Sequence, residues 1–192
     1  PSIEVPLPIG LDQTVRFYRA IGAHFNVAAR LEKALRPMRA ALAPVQEAFR
    51  ERARGRRIAL GLRMHNDFRA EMLAYGGLPE ASALGEMGFD VTLIIQGPVE
   101  EQARFKELLR EYSCPVPHLV VPHPWHLAPL LKKGGFDVAI MPEHCLEEAQ
   151  KAGLPLVVSR ELAPLLSGVP HNLALLEELM APSGPHTGAA AP

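Results

Sequence analysis

The segment HLVVPHPWHLAPLLKKGGFDVAIMPEHCLEEAQKAG, residues 118–153, constrains the chain more than any other stretch. HLVV is a short apolar run closed by Pro122. PHPWH, which carries two histidines and the chain's one tryptophan, then reads as a loop. Leu127, Leu130 and Leu131 recur at helical spacing until Gly134-Gly135 ends the turn. FDVAIM, residues 136–141, has the length and β-branched content of a buried strand, and after PEHC comes the helical pattern LEEAQKAG. Apolar runs alternating with amphipathic helices of about ten residues indicate a parallel sheet covered on both faces. Ligands of such sheets bind at the carboxyl ends of the strands. The polar loops 122–126 and 142–145 both leave from those ends, so a site is expected there.

The remaining segments extend the pattern. Residues 1–10, PSIEVPLPIG, hold three prolines and read as an extended lead-in that docks on a surface outside this chain. Asp12 is expected as the N-cap of a first helix with Val15, Tyr18 and Ile21 on one stripe. A longer helical pattern covers residues 27–54, where Pro37 and Pro44 should kink or break it. Its basic end, FRERARGRR, reads as a solvated helix terminus whose charge suits the helix dipole. Strands follow at 56–62, 90–96, 118–121, 136–141 and 154–159. Between them lie a broken helical pattern up to residue 88, a helix over 99–111 with Phe105, Leu108 and Leu109 inward, and a last helix over 170–180. The fold class is therefore α/β: a Rossmann-like parallel sheet of about five strands flanked by helices, with an N-terminal helical arm. The expected division is lead-in and arm over 1–55, the α/β domain over 56–181 and a disordered tail over 182–192.

Several function classes are disfavoured. A net charge of −1 argues against a concentrated basic surface for nucleic acid. No apolar run approaches the roughly 20 residues that span a bilayer, and no signal peptide opens the chain. Cys114 and Cys145 lack CxxC spacing, so reduced thiols in a cytoplasmic protein are the expectation. The opening at Pro1 fits both removal of an initiator methionine and a segment of something longer. RMHNDF stands after the first strand, where a dinucleotide-binding domain would carry GxGxxG; that motif is absent. A nucleotide-sugar transferase half would need the same glycine-rich phosphate turn.

Candidate site residues gather at the strand ends. His123 and His126, with His144 and Cys145 one βα unit later, have the chemistry of a metal ligand set, His144 and Cys145 being the metal-ligand candidates. The plainer reading makes His126 a helix-start residue and His123 a solvent-facing loop residue. Cys145 before a helix could be an activated thiol, although no orienting Asn or Asp can be assigned. Asp67 beside His65 is either an acid–base group or a helix N-cap. Trp125 either stacks a ligand or packs, under its own loop or against a partner chain.

VPLPIGLDQTVRFYRAIG, GRRIALGLRMHNDF, VPHPWHLAPLLKKGGFDVAIM and AQKAGLPLV together cover about residues 5–158. Taken in order, these four segments resemble the nitrogenase component 1 family. Asn66, Asp67 and Phe68 match the end of the family's loop after its first strand, and Trp125, His126 and Leu127 match its Trp-His-Leu helix start. PEHC stands where members usually carry a Gly-Asn-Ser-like turn, and SREL stands where they often carry Gly-Phe-Pro. The resemblance implies the C-terminal Rossmann-like domain of a nitrogenase-like oxidoreductase subunit, contributing to a metallocluster or tetrapyrrole cavity and to a subunit interface. It also implies an iron–sulfur or related metallocluster in the full assembly, with a homologous subunit and an electron-donating iron protein as partners in an oligomer. The cofactor-binding candidates it marks are Asp67, His123, Trp125, His126 and His171, the last near where the cofactor-bearing subunit supplies a histidine. The alternative is a stand-alone domain that binds a cluster or small molecule without turnover.

Overall fold

The computed structural model describes residues 7–63, 77–98, 100, 102–111 and 116–181. Five strands form one parallel sheet: β1 (Arg57–Arg63), β2 (Asp90–Gln96), β3 (His118–Val121), β4 (Val138–Met141) and β5 (Leu156–Val158). Their order across the sheet is β3-β2-β1-β4-β5. Register is set by Ile58 opposite Val91 and Val138, Leu93 opposite His118, and Ala139 opposite Leu156. The chain first winds outward from β1 to β3, then crosses back to β4 and winds outward to β5. That reversal at β1 is the doubly wound topology.

Strand residues alternate between the two faces. Ile58, Leu60, Leu62, Val91, Leu93, Ile95, Val138, Ile140 and Val157 join one buried cluster, whereas Ala59, Ile94, Val121, Ala139 and Met141 join another. Helices α3 (Leu78–Glu86), α4 (Gln102–Glu111) and α7 (Leu165–Met180) cover the first face through Leu84, Phe105, Leu109, Val169 and Leu173. Helices α5 (Leu127–Lys133) and α6 (Leu146–Gln150) cover the second through Leu127, Leu131 and Ala149. Burial on both faces is why the strands read as continuous apolar runs.

The arm consists of α1 (Leu11–His24) and α2 (Ala28–Ala53), and it departs from expectation in three ways. First, α2 runs unbroken through Pro37 and Pro44. Both prolines are exposed, so the carbonyls they leave without a helical donor can be hydrated. Second, Asp12 is not the N-cap. Gly10 holds that place with φ of 84°, and the Glu86 carboxylate accepts the Asp12 backbone N–H at 3.2 Å. A Cβ on Gly10 would lie 2.9 Å from that same carboxylate oxygen, so only glycine admits this cap from another element. Third, the described part of the lead-in docks within the chain. Pro8 and Ile9 are buried, and the Leu165 N–H donates to the Pro8 carbonyl at 2.7 Å. Leu11, Leu35, Phe49 and Ala53 enter the cluster under the first sheet face, which makes the arm part of the same core.

The basic run at the end of α2 is consumed internally. Arg50 donates to the Glu86 carbonyl at 2.8 and 2.6 Å, Arg52 pairs with Glu177 at 2.9 Å, and Arg54 pairs with Glu51 at 2.7 Å. The Arg57 guanidinium lies 5.2 Å from the Phe136 ring centroid, and its backbone N–H donates to Asp137 at 2.8 Å. Some boundaries also move. Strand β4 begins at Val138 and β5 at Leu156, each two residues inside the expected range, and α7 begins at Leu165 and contains Pro170. The tail over 182–192 lies outside the described residues.

Candidate functional site

At the carboxyl edge, the reversal of winding leaves the end of β1 between the loops of β2 and β4. Gly61 makes this close approach possible, because a Cβ there would run into the Met141 Sδ and lie 2.9 Å from Pro142 Cδ. Gln96, the last residue of β2, reaches across the end of β1. Its Oε1 accepts from the Cys145 thiol at 3.3 Å and lies 3.1 Å from His144 Nε2. An amide oxygen only accepts, so the His144 tautomer that bonds it carries its proton on Nε2. Cys145 is buried with Met141 and Ala149, and its backbone N–H closes the 3₁₀ turn Glu143–Cys145 on the Pro142 carbonyl at 2.9 Å. Glu143 pairs with Arg160, which ties the loop after β4 to the loop after β5.

The second grouping stands at the end of edge strand β3. The 3₁₀ turn Pro124–His126 presents three rings together. His123 and Trp125 stack with centroids 4.4 Å apart and planes 10° from parallel, and His126 lies 5.9 Å from each. Trp125 is 61% exposed, so this tryptophan does not pack under its own loop. His126 does stand at the helix start, its N–H donating to the His123 carbonyl at 3.0 Å, and His123 is exposed, as the plainer reading held. Behind the turn, half-buried His118 meets Phe105 edge-on at 5.1 Å. Burial, then the nearby Lys106 charge, holds the His118 imidazole below its ordinary pKa against a backbone hydrogen bond at Val116, which favours the uncharged ring.

His171 is on α7, exposed, with Nε2 3.0 Å from the Glu161 carbonyl. The preceding loop is held by Asn172, whose side chain accepts the Ala163 N–H at 2.7 Å and donates to the Ala163 carbonyl at 2.9 Å. This histidine belongs to the β5 edge. The aromatic turn belongs to the β3 edge, four strand spacings or roughly 19 Å away. The structure therefore groups His123, Trp125 and His126, groups His144 and Cys145 with Gln96, and keeps His171 apart. Asp67 and Cys114 lie outside the described residues. Among the described residues, no three His, Cys, Asp or Glu side chains come together to hold a metal ion. Gln96 escaped sequence reasoning because a glutamine ending an apolar strand belongs to no motif.

The fold is that of a Rossmann-type doubly wound α/β protein, and the sequence after its first strand lacks the dinucleotide fingerprint. The family model described as nitrogenase component 1 type oxidoreductase matches residues 1–164, and the chain belongs to that family. A solved structure titled "Nitrogenase Cp1 at pH 6.5" superposes with a TM-score of 0.61 at 15% identity, covering 92% of this chain. The chain spans 39% of the length of that structure's chain, so the likeness speaks for the fold. No curated protein matches by sequence. Among the described residues, no helix is long and apolar enough to cross a membrane.

Proposed function

We propose that this chain serves as the cavity-wall and subunit-contact domain of a nitrogenase-like oxidoreductase, with its carboxyl strand edge turned toward a group held between domains. The observation that carries this reading is the exposed stack of His123 and Trp125, with His126 beside it, at the edge where doubly wound sheets take ligands. An aromatic face flanked by imidazoles suits a flat conjugated ligand such as a tetrapyrrole, through stacking and donated hydrogen bonds. Among the described residues no three His, Cys, Asp or Glu side chains gather as an iron–sulfur cluster would need, and the Cys145 thiol donates to Gln96. In this reading the cluster of the full assembly takes its ligands elsewhere, and His144 and Cys145 fix the crevice. The partners are a homologous subunit and an electron-donating iron protein, and the compartment is the cytoplasm.

Trp125 is the only tryptophan in the chain, so its fluorescence reports on the proposed surface alone. Protein purified without oxygen is titrated with protoporphyrin IX, with iron and zinc analysis on the same sample. Saturable quenching that is weakened at least tenfold in His123→Ala/His126→Ala is the expected result. Absence of quenching in a folded protein overturns the tetrapyrrole-facing wall. One equivalent of bound iron or zinc that is lost in His144→Ala would instead favour the scaffold reading, a domain that binds metal without turnover.

A further inference from the structure

Among the described residues, two that are not glycine hold a positive φ: Asn26 at 57° and Leu165 at 66°. Asn26 lies in the turn between α1 and α2, and asparagine enters this region readily. Leu165 opens α7, where a branched side chain in the left-handed region is disfavoured by roughly tenfold or more. Such an outlier persists only where neighbouring contacts hold it.

The contacts come from two sides. On one side, the loop between β5 and α7 folds back over the first turn of its own helix. Asn172, fully buried, brackets the Ala163 peptide with two hydrogen bonds. The Ala163 carbonyl approaches Gly168 so closely that a Cβ there would collide with it. On the other side stands the lead-in. The Leu165 N–H donates to the Pro8 carbonyl at 2.7 Å. Buried Ile9 seats this segment, and the buried Thr14 hydroxyl ties it to α1. Its one proton is shared between the Gly10 carbonyl at 2.6 Å and the Pro8 carbonyl at 3.3 Å. The loop held in this way carries the β5 end of the carboxyl edge. The Glu161 carbonyl lies 3.0 Å from His171 Nε2, and Arg160 pairs with Glu143 beside His144.

We infer that residues 8–10 form a strap that holds the β5–α7 loop closed through the strained Leu165. When the strap is displaced, Leu165 returns to the right-handed region and the Glu161 carbonyl leaves His171. The lead-in and the carboxyl end of β5 are then two sites coupled through one residue with two backbone states. The coupling is reciprocal: a group that binds the closed β5 edge more tightly than the open one tightens the strap by the same factor. The inference is independent of the aromatic turn, which lies at the opposite edge of the sheet.

Native-state hydrogen exchange of the full chain tests this, read at the Ala163, Leu165 and Ile9 amides and referenced to Leu60 of β1. Thr14→Val removes a hydroxyl whose hydrogen bonds, among the described residues, go to the lead-in and the helix cap. It should speed exchange at Ala163 and Leu165 about tenfold relative to Leu60. Leu165→Gly and Leu165→Ala lose the same side chain beyond Cβ, but only glycine escapes the left-handed penalty. Ala163 and Ile9 should therefore exchange about fivefold more slowly in the glycine variant than in the alanine variant. Thr14→Val/Leu165→Gly should bring the Ala163 rate back to that of the wild type. The His171 ring resonances should move in the variants that open the loop. Equal exchange in the glycine and alanine variants overturns the inference, whether or not Thr14→Val folds. A Thr14→Val chain whose loop amides change no more than Leu60 overturns it too, as does an opened loop that leaves the His171 resonances in place.

Discussion

Glu86 shows how a single side chain couples elements that are far apart in sequence. It ends α3, caps α1 through the Asp12 N–H, and leaves its other carboxylate oxygen buried without a hydrogen bond to any of the described residues. Burial, and next the Asp12 charge, raises its pKa from 4.5 to about 7; the Asp12 backbone hydrogen bond and the charges of Arg16 and Arg50 only partly oppose this. The folded state therefore favours the neutral acid. Its stabilising contribution is complete below pH 4.5 and is lost as the pH rises through about 7. The loss amounts to about 3 kcal/mol at most. Glu86→Gln keeps an acceptor for the cap and removes the charge, so it should be the more stable form at pH 8 and equal to the wild type near pH 4. Urea denaturation at the two pH values measures this. A wild-type stability that falls no more steeply with pH than the variant's would refute the burial argument. None of this was legible beforehand: a Glu in GEMG shows no sign of sitting beneath a helix start 74 residues earlier. Asp12 looked like the cap because local pattern rules cannot see an acceptor supplied by another element.

At the level of elements, periodicity located the strands and most helices, and the prolines of α2 misled. Proline in a helix interior costs about 3 kcal/mol relative to alanine. Here both prolines are exposed while Leu35, Phe49 and Ala53 anchor the opposite side, and that burial outweighs the lost hydrogen bonds. Pro37→Ala should accordingly raise stability by about 1–3 kcal/mol, read as a higher urea midpoint with unchanged slope. A lower midpoint would show instead that Pro37 contributes to the native state through the backbone restriction it imposes. Strand ends were expected up to two residues too long because Phe136 and Leu154 are apolar without joining the ladder. Hydrophobicity reports burial, and it does not distinguish a strand from the turn that leads into it.

Over the whole molecule, the arm and the sheet share one core, so they should unfold as one unit. Ile9 is 1% exposed next to Pro8, whose carbonyl receives α7's first N–H. Ile9→Ala should cost about 2–4 kcal/mol. Native-state hydrogen exchange should then show amides of α1, β1 and β4 losing protection together; loss confined to α1 would mean that the arm opens alone. The amino-acid sequence alone determined the α/β class, the parallel sheet and the family, because these follow from alternation of apolar runs and from motif order. Only the tertiary structure decided which strand-end residues meet. Strand order put His171 and the aromatic turn on opposite edges, and it brought Gln96 over β1 to His144 and Cys145. Order across a sheet depends on how helices pack on each face, a long-range property that no local pattern carries.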